Sequence, residues 1–190
     1  MSAADTLPPP APAVPGGTTL GWIGTGVMGR SMVGRLRDAG FDVVLTTRSR
    51  AKAEPLLERG CRWGGTPAAV AAAADVVFVM VGHPADVREV VSGAEGVLSA
   101  LRPGTVLVDH TTSSPELAAE IESLARDRRA WSLDAPVSGG DRGAREGTLT
   151  VMVGGADAPR EALAACWKAV AGNVVPCGGP GAGQRTKLAN

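Results

Sequence analysis

From Thr19 onward the chain alternates short apolar runs with amphipathic stretches, each bounded by glycine, proline or a small polar residue. LGWIG reads as a strand, and VMGRSMVGRLRDAG as a helix closed by Gly40. FDVVLTT is the next strand, followed by a helix through AKAEPLLERG that Pro55 limits. After the short CRW run, TPAAVAAAA offers Thr66 as helix cap and Pro67 at the first helical position. ADVVFVMV is a continuous apolar run of the kind that parallel sheets bury on both faces.

PADVREVVSG predicts a further helix, TVLVDH a strand, and SPELAAEIESLARD a long helix capped by Ser114. AWSLDAPVS, TLTVMVGG and NVVPC are three more apolar segments, with DAPREALAACWKAV as a single helix before the last. No element is predicted over residues 140–147. Strands alternating with helices at this spacing imply parallel βαβ units with right-handed crossovers, hence a doubly wound, mostly parallel α/β sheet.

The pattern starts only at Thr19. Ahead of it, MSAADTLPPPAPAVPGGTT is dense in proline and lacks the basic start and apolar core of a secretory signal. Residues 1–18 are therefore expected to be a disordered tail without chemistry. The chain carries 19 Lys and Arg against 19 Asp and Glu, so bulk charge gives no reason to expect nucleic acid as a partner. No apolar run reaches membrane-spanning length. Cys61, Cys166 and Cys177 lie far apart, odd in number and without metal-ligand spacing, which points to reduced thiols and a cytoplasmic setting and to no metal site.

Between the first strand and first helix, GWIGTGVMG places Gly24, Gly26 and Gly29 in the pattern G-x-G-x-x-G. Alone this is a weak signal. Here a strand precedes it and a helix follows, as dinucleotide binding requires. Gly24 permits the tight turn, Gly26 lets a pyrophosphate approach the backbone, and Gly29 packs the helix on the sheet. Val27 and Met28 open the helix whose free N–H groups would face the phosphates.

An acid at the end of the second strand would bind a ribose 2′-OH. This chain has LTTRSRAK instead, so Arg48 is placed to pair with a 2′-phosphate, with Thr47 and Ser49 as donors. That arrangement prefers NADP, with NAD possible; a solvated arginine pair is the alternative. Val81 and Gly82 after the VVFVM run, and Thr112 after VLVDH, would close over the nicotinamide half. Ser138 with Gly139 and Gly140 presents a hydroxyl beside exposed N–H groups, which suits a carboxylate or hydroxyl oxygen. Ser138 has no neighbouring base in sequence, and His83 and His110 read as loop histidines.

IGTGVMGRSMVGRLRDAG, DHTTSSPE, LDAPVSGGDRGAREGTLTVMVGG and GAGQRTKLAN, in this order, resemble the β-hydroxyacid dehydrogenase family over residues 19–190. That family includes 3-hydroxyisobutyrate dehydrogenase, tartronate semialdehyde reductase and 6-phosphogluconate dehydrogenase. The resemblance implies a Rossmann-type cofactor domain over 19–180 and the first turns of an interdomain helix over 181–190. It implies that Lys187 acts in acid–base catalysis, that Ser138 binds a small, carboxylate-bearing substrate, and that Thr112 lies near the nicotinamide ribose. Thr111 departs from the family's usual serine, and VGHP from its leucine–proline pair.

The family's asparagine, four residues past its lysine, would fall at 191, one beyond Asn190. The expectation is thus a truncated chain without the helical domain, binding cofactor with little turnover. A homo-oligomer is expected only where that domain is supplied. The alternatives are a non-catalytic dinucleotide-binding module and an imine-reductase-like enzyme; Lys187 counts against the second.

Overall fold

The computed structural model describes residues 7–190. Along the chain run β1 (Thr19–Ile23), α1 (Val27–Asp38), β2 (Asp42–Thr46), α2 (Glu54–Leu57), β3 (Arg62–Trp63) and α3 (Pro67–Ala72). Then follow β4 (Val76–Val79), α4 (Pro84–Ser92), β5 (Val106–Asp109), α5 (Pro115–Asp127), β6 (Trp131–Asp134) and β7 (Val137–Ser138). The rest comprises α6 (Gly140–Glu146), β8 (Leu149–Gly154), α7 (Asp157–Ala162), α8 (Ala164–Val170), β9 (Ala171–Gly178) and α9 (Ala182–Ala189).

The strands lie in the order β3-β2-β1-β4-β5-β6-β8-β7, with β9 also paired to β8. From β3 to β6 every pairing is parallel, and β8 runs antiparallel to β6 and β7. This is the doubly wound, Rossmann-type α/β sheet that the alternation of strands and helices predicts.

The continuous apolar runs exist because both faces are covered. In β4, Val76 and Phe78 enter one core while Val77 and Val79 enter the other. β5 divides likewise, with Val106 and Val108 on one side and Leu107 on the other. The predicted caps form: Thr66 Oγ1 accepts from Ala69 N at 3.2 Å and Ser114 Oγ from Leu117 N at 3.1 Å.

Three expectations need correction. Residues 140–146 form α6, supported by the i,i+4 pairs Asp141–Arg145 and Arg142–Glu146 and by burial of Ala144. The helix expected over DAPREALAACWKAV is two, because the Trp167 indole N–H donates to Arg160 O at 2.8 Å. A continuous helix would offer that carbonyl to the amide four residues on.

The tail over 1–18 is not disordered where the structure describes it; residues 1–6 lie outside the described residues. Pro8 O accepts from the Trp131 indole at 2.8 Å, Ala13 N donates to Ala162 O at 2.8 Å, and Ala13 is buried. Prolines already restrict this segment, so docking it forfeits less chain entropy than docking an ordinary coil.

Candidate active site

The strands β1, β2, β4, β5 and β6 all point their carboxyl ends at one edge, and the glycine turn sits there. Its three glycines are there for different reasons. Gly24 has φ +96°, and a Cβ on it would overlap the Met80 carbonyl oxygen. A Cβ on Gly29 would strike the Gly24 carbonyl oxygen and lie 3.0 Å from Trp22 Nε1. Trp22 Nε1 also donates to Gly24 O at 2.8 Å, bracing the turn from the core side.

Gly26 is unlike both. Its φ of −64° suits any residue, and nothing of the protein lies within 4 Å of its absent Cβ. Folding does not require glycine there, and the position is left open to an approaching ligand. Gly26 caps α1 without a side-chain acceptor, so the first-turn amides at Val27 and Met28 remain free to donate.

This turn forms one wall of a cavity of about 900 Å³, whose other walls include Thr47, Arg48, Val81 and Gly82. Thr47 Oγ1 accepts from Thr25 N at 3.4 Å, joining the ends of β1 and β2. Arg48 extends into solvent with its side chain 92% exposed, and its nearest carboxylate oxygen, on Asp86, is 3.8 Å away. Lys52 and Trp63 also line the cavity and were not anticipated. The signal for Lys52 was a third cation, after Arg48 and Arg50, four positions past Arg48.

Free helix amides, an open face at Gly26, a buried Thr25 hydroxyl without a partner among the described residues, and cations at the far end fit a dinucleotide phosphate chain.

Across the same edge, β7 ends on Ser138 and α9 carries Lys187. The two residues, 49 apart in sequence, meet: Lys187 Nζ donates to Ser138 Oγ at 2.8 Å. Gly139 and Gly140 follow Ser138 with φ of +129° and +59° and are exposed. Thr112 is also exposed, on the loop after β5, and does not line the cavity. Its neighbour Thr111 is buried and accepts from Val81 N at 3.0 Å. Lys187 donates to Ser138, which leaves the serine proton and the remaining ammonium protons available to an incoming oxygen.

Two residues that sequence reading missed hold α9 in place. Asp134 accepts from Gly181 N and Gln184 N, each at 2.8 Å, at the amino end of α9. Gln184, wholly buried, accepts from Ser113 N and donates to Thr111 O, both at 2.8 Å. Burial pushes the Asp134 carboxyl up, against those backbone donors that favour its charged form.

Asp109 faces Asp134 across the β5–β6 register. Burial pushes it up to about 7, opposed by the Thr111 donors and reinforced by Asp134. His110 is a core residue and not a loop one, stacked on Phe78 at 5.6 Å and edge-on to Trp167 at 5.9 Å. Burial lowers it to about 4, against the hydrogen bond to Ala135 O at 2.7 Å. Neutral at pH 7 and facing a carbonyl, it carries its proton on Nδ1. His83 caps the amino end of α4, its backbone N–H donating to Asp86 Oδ2 at 3.0 Å.

Residues 19–179 match the family model described as the NAD-binding domain of 6-phosphogluconate dehydrogenase. Probable 3-hydroxyisobutyrate dehydrogenase-like 2, mitochondrial, from Arabidopsis thaliana is 46% identical over 176 residues, covering 93% of this chain and 58% of that protein. The 2-hydroxy-3-oxopropionate reductase of Escherichia coli is 39% identical, with 90% and 58% covered. The solved structure of Mycobacterium tuberculosis 3-hydroxyisobutyrate dehydrogenase with L-serine is 35% identical at a TM-score of 0.85, covering 91% of this chain and 58% of that one.

The chain thus spans little more than half the length of curated relatives such as these. Among the described residues, no helix is long and apolar enough to cross a membrane. A strand–turn–helix with an open glycine, in a sheet of this order and with this sequence match, leads to one assignment: the chain belongs to the nicotinamide-dinucleotide-binding family of 6-phosphogluconate and 3-hydroxyisobutyrate dehydrogenases.

Proposed function

We propose that this chain is the cofactor-binding and proton-handling part of an NADP-preferring oxidoreductase acting on a small 3-hydroxy acid or its semialdehyde. The observation that carries the reading is the 2.8 Å contact between Lys187 and Ser138, on the same sheet edge as the cavity behind the glycine turn. When bound, the nicotinamide supplies or accepts the hydride. Ser138, with the amides of Gly139 and Gly140, orients a substrate carboxylate or hydroxyl oxygen. Lys187 gives its proton to the carbonyl oxygen during reduction and recovers it during oxidation.

Arg48 and Lys52 supply two cations for a 2′-phosphate, and no acid at the end of β2 competes with it for the ribose. Thr112, Gly139 and Gly140 stand open to solvent, so water screens the reacting centre. The 190-residue polypeptide alone is therefore read as binding cofactor with low turnover. Three free cysteines, Cys61, Cys166 and Cys177, support a reducing, cytoplasmic setting.

The test combines cofactor titration with the residual rate measured at high protein concentration. Lys187→Met is expected to keep the NADP affinity within about twofold while lowering the rate by roughly 10²–10⁴. Arg48→Ala with Lys52→Ala is expected to weaken NADP by about tenfold or more and to leave NAD unchanged. An unchanged rate in Lys187→Met would remove the lysine from the mechanism, and equal losses for both cofactors would remove the NADP preference.

A further inference from the structure

Lys187 is placed by a helix, and the helix is placed by buried polar ties that reach a second part of the site. Gln184 lies three residues before Lys187 on α9, about one turn away. It is fully buried, and both ends of its side-chain amide are engaged: Oε1 with Ser113 N and Nε2 with Thr111 O, each at 2.8 Å. Those two partners flank Thr112. The backbone N–H of Gln184 goes to Asp134 Oδ2, at the foot of the segment leading to Ser138. One residue therefore touches the loop of Thr112, the helix of Lys187 and the strand end that leads to Ser138.

Resting on the function proposed above, we propose that Gln184 is a positioning residue that locks the Thr112 loop and the Lys187–Ser138 pair into a single register. Simple burial would be met as well by methionine or leucine, which need no partners. An amide makes specific demands, because each of its polar ends costs free energy when left unpaired in the interior. Here the demands are met by backbone groups on either side of Thr112, so the loop and α9 shift together or not at all. Gln184 touches neither cofactor nor substrate; it acts through the groups that do.

The test needs no turnover and no cofactor. Lys187 accessibility is read by competitive acetylation with acetic anhydride and mass spectrometry, and the 111–113 loop by amide hydrogen exchange, in the complete 190-residue chain. Gln184→Met, of similar volume, is expected to raise both the Lys187 labelling rate and exchange at 111–113 by about fivefold, a lost buried hydrogen bond's worth. Lys52 labelling and exchange in β2 should stay at the parent values, which separates a local release from general loosening.

Gln184→Glu keeps the acceptor for Ser113 N but sets an oxygen against Thr111 O, so it should give intermediate increases in both readouts. It carries the test if the methionine variant does not fold. A folded variant with parent labelling and exchange overturns the proposal, as does a rise in only one of the two. Absence of NADP binding by the parent chain would overturn the proposed function and leave the coupling result standing.

Discussion

Gly26 and Gly29 are three positions apart and chemically identical, yet the space in front of them differs. A methyl group at Gly29 meets the carbonyl of Gly24, whereas at Gly26 it meets nothing. Gly26→Ala is therefore expected to fold with an unchanged melting temperature and to bind NADP about tenfold or more weakly, whereas Gly29→Ala should lose stability first. Thermal melts beside a cofactor titration check this; a stability loss in Gly26→Ala would contradict it. The G-x-G-x-x-G pattern already assigned Gly26 to ligand approach and Gly24 and Gly29 to the turn and packing; the folded turn adds the physical reason, an open space at Gly26 and backbone contacts at the other two.

Asp109 gives a second residue-level consequence. Its folded pKa of about 7 lies above the unfolded value, so between pH 4 and 7 the folded chain holds a proton that the unfolded chain releases. Stability from this group thus falls as pH rises through that window, and Asp134, raised for the same reason, adds to the slope. His110 runs the other way, gaining stability from pH 4 to 6.5 because its folded pKa is lowered to about 4. Asp109→Asn should exceed the parent at pH 8 by on the order of 2–4 kcal/mol and lose that advantage near pH 4. Urea midpoints at the two pH values measure it, and equal midpoints at pH 8 would count against a raised Asp109 pKa in the folded chain. Neither group was legible in TVLVDH, since the rings around His110 come from β1, β4 and α8.

At the scale of elements, the amino-terminal segment crosses the end of the sheet opposite the site. Trp131 opens β6 and donates to Pro8 O, while Asp134 closes the same strand at the site. Replacing Trp131 by Phe should cost about 0.5–1.5 kcal/mol of stability and leave cofactor affinity unchanged, by denaturant unfolding and titration. A matching loss of affinity would mean that the two ends of the sheet are coupled. Proline density alone suggested a solvated coil over this stretch; the docking partners Trp131 and Ala162 lie more than a hundred residues later, beyond any local pattern. α6 was missed for a different reason: Gly139, Gly140 and Gly143 mask a short helix that its charge pairs and the burial of Ala144 sustain. The parallel strands were legible because burial on both faces leaves unbroken apolar runs. The motif resemblance singled out Lys187 and Ser138 separately, but their contact and the ties made by Asp134 and Gln184 were not legible, since nothing in sequence spacing links position 138 to 187 or 134 to 184.

For the whole molecule, ligand binding and folding are linked. The proposed NADP binding predicts that, at a hundred times the dissociation constant, the folded state gains about 2.7 kcal/mol, a rise in melting temperature of about 5–10 °C for a chain of this size. NAD at the same concentration should raise it less; an equal rise would contradict the cofactor preference. The Asp134 contact ties α9 to a distant part of the chain. Its acceptor lies 47 residues upstream of the amide it receives, and α9 packs on β6 and β8. The cavity walls, by contrast, all come from residues 23–95. Loosening α9 should therefore free Lys187 while leaving those walls in place.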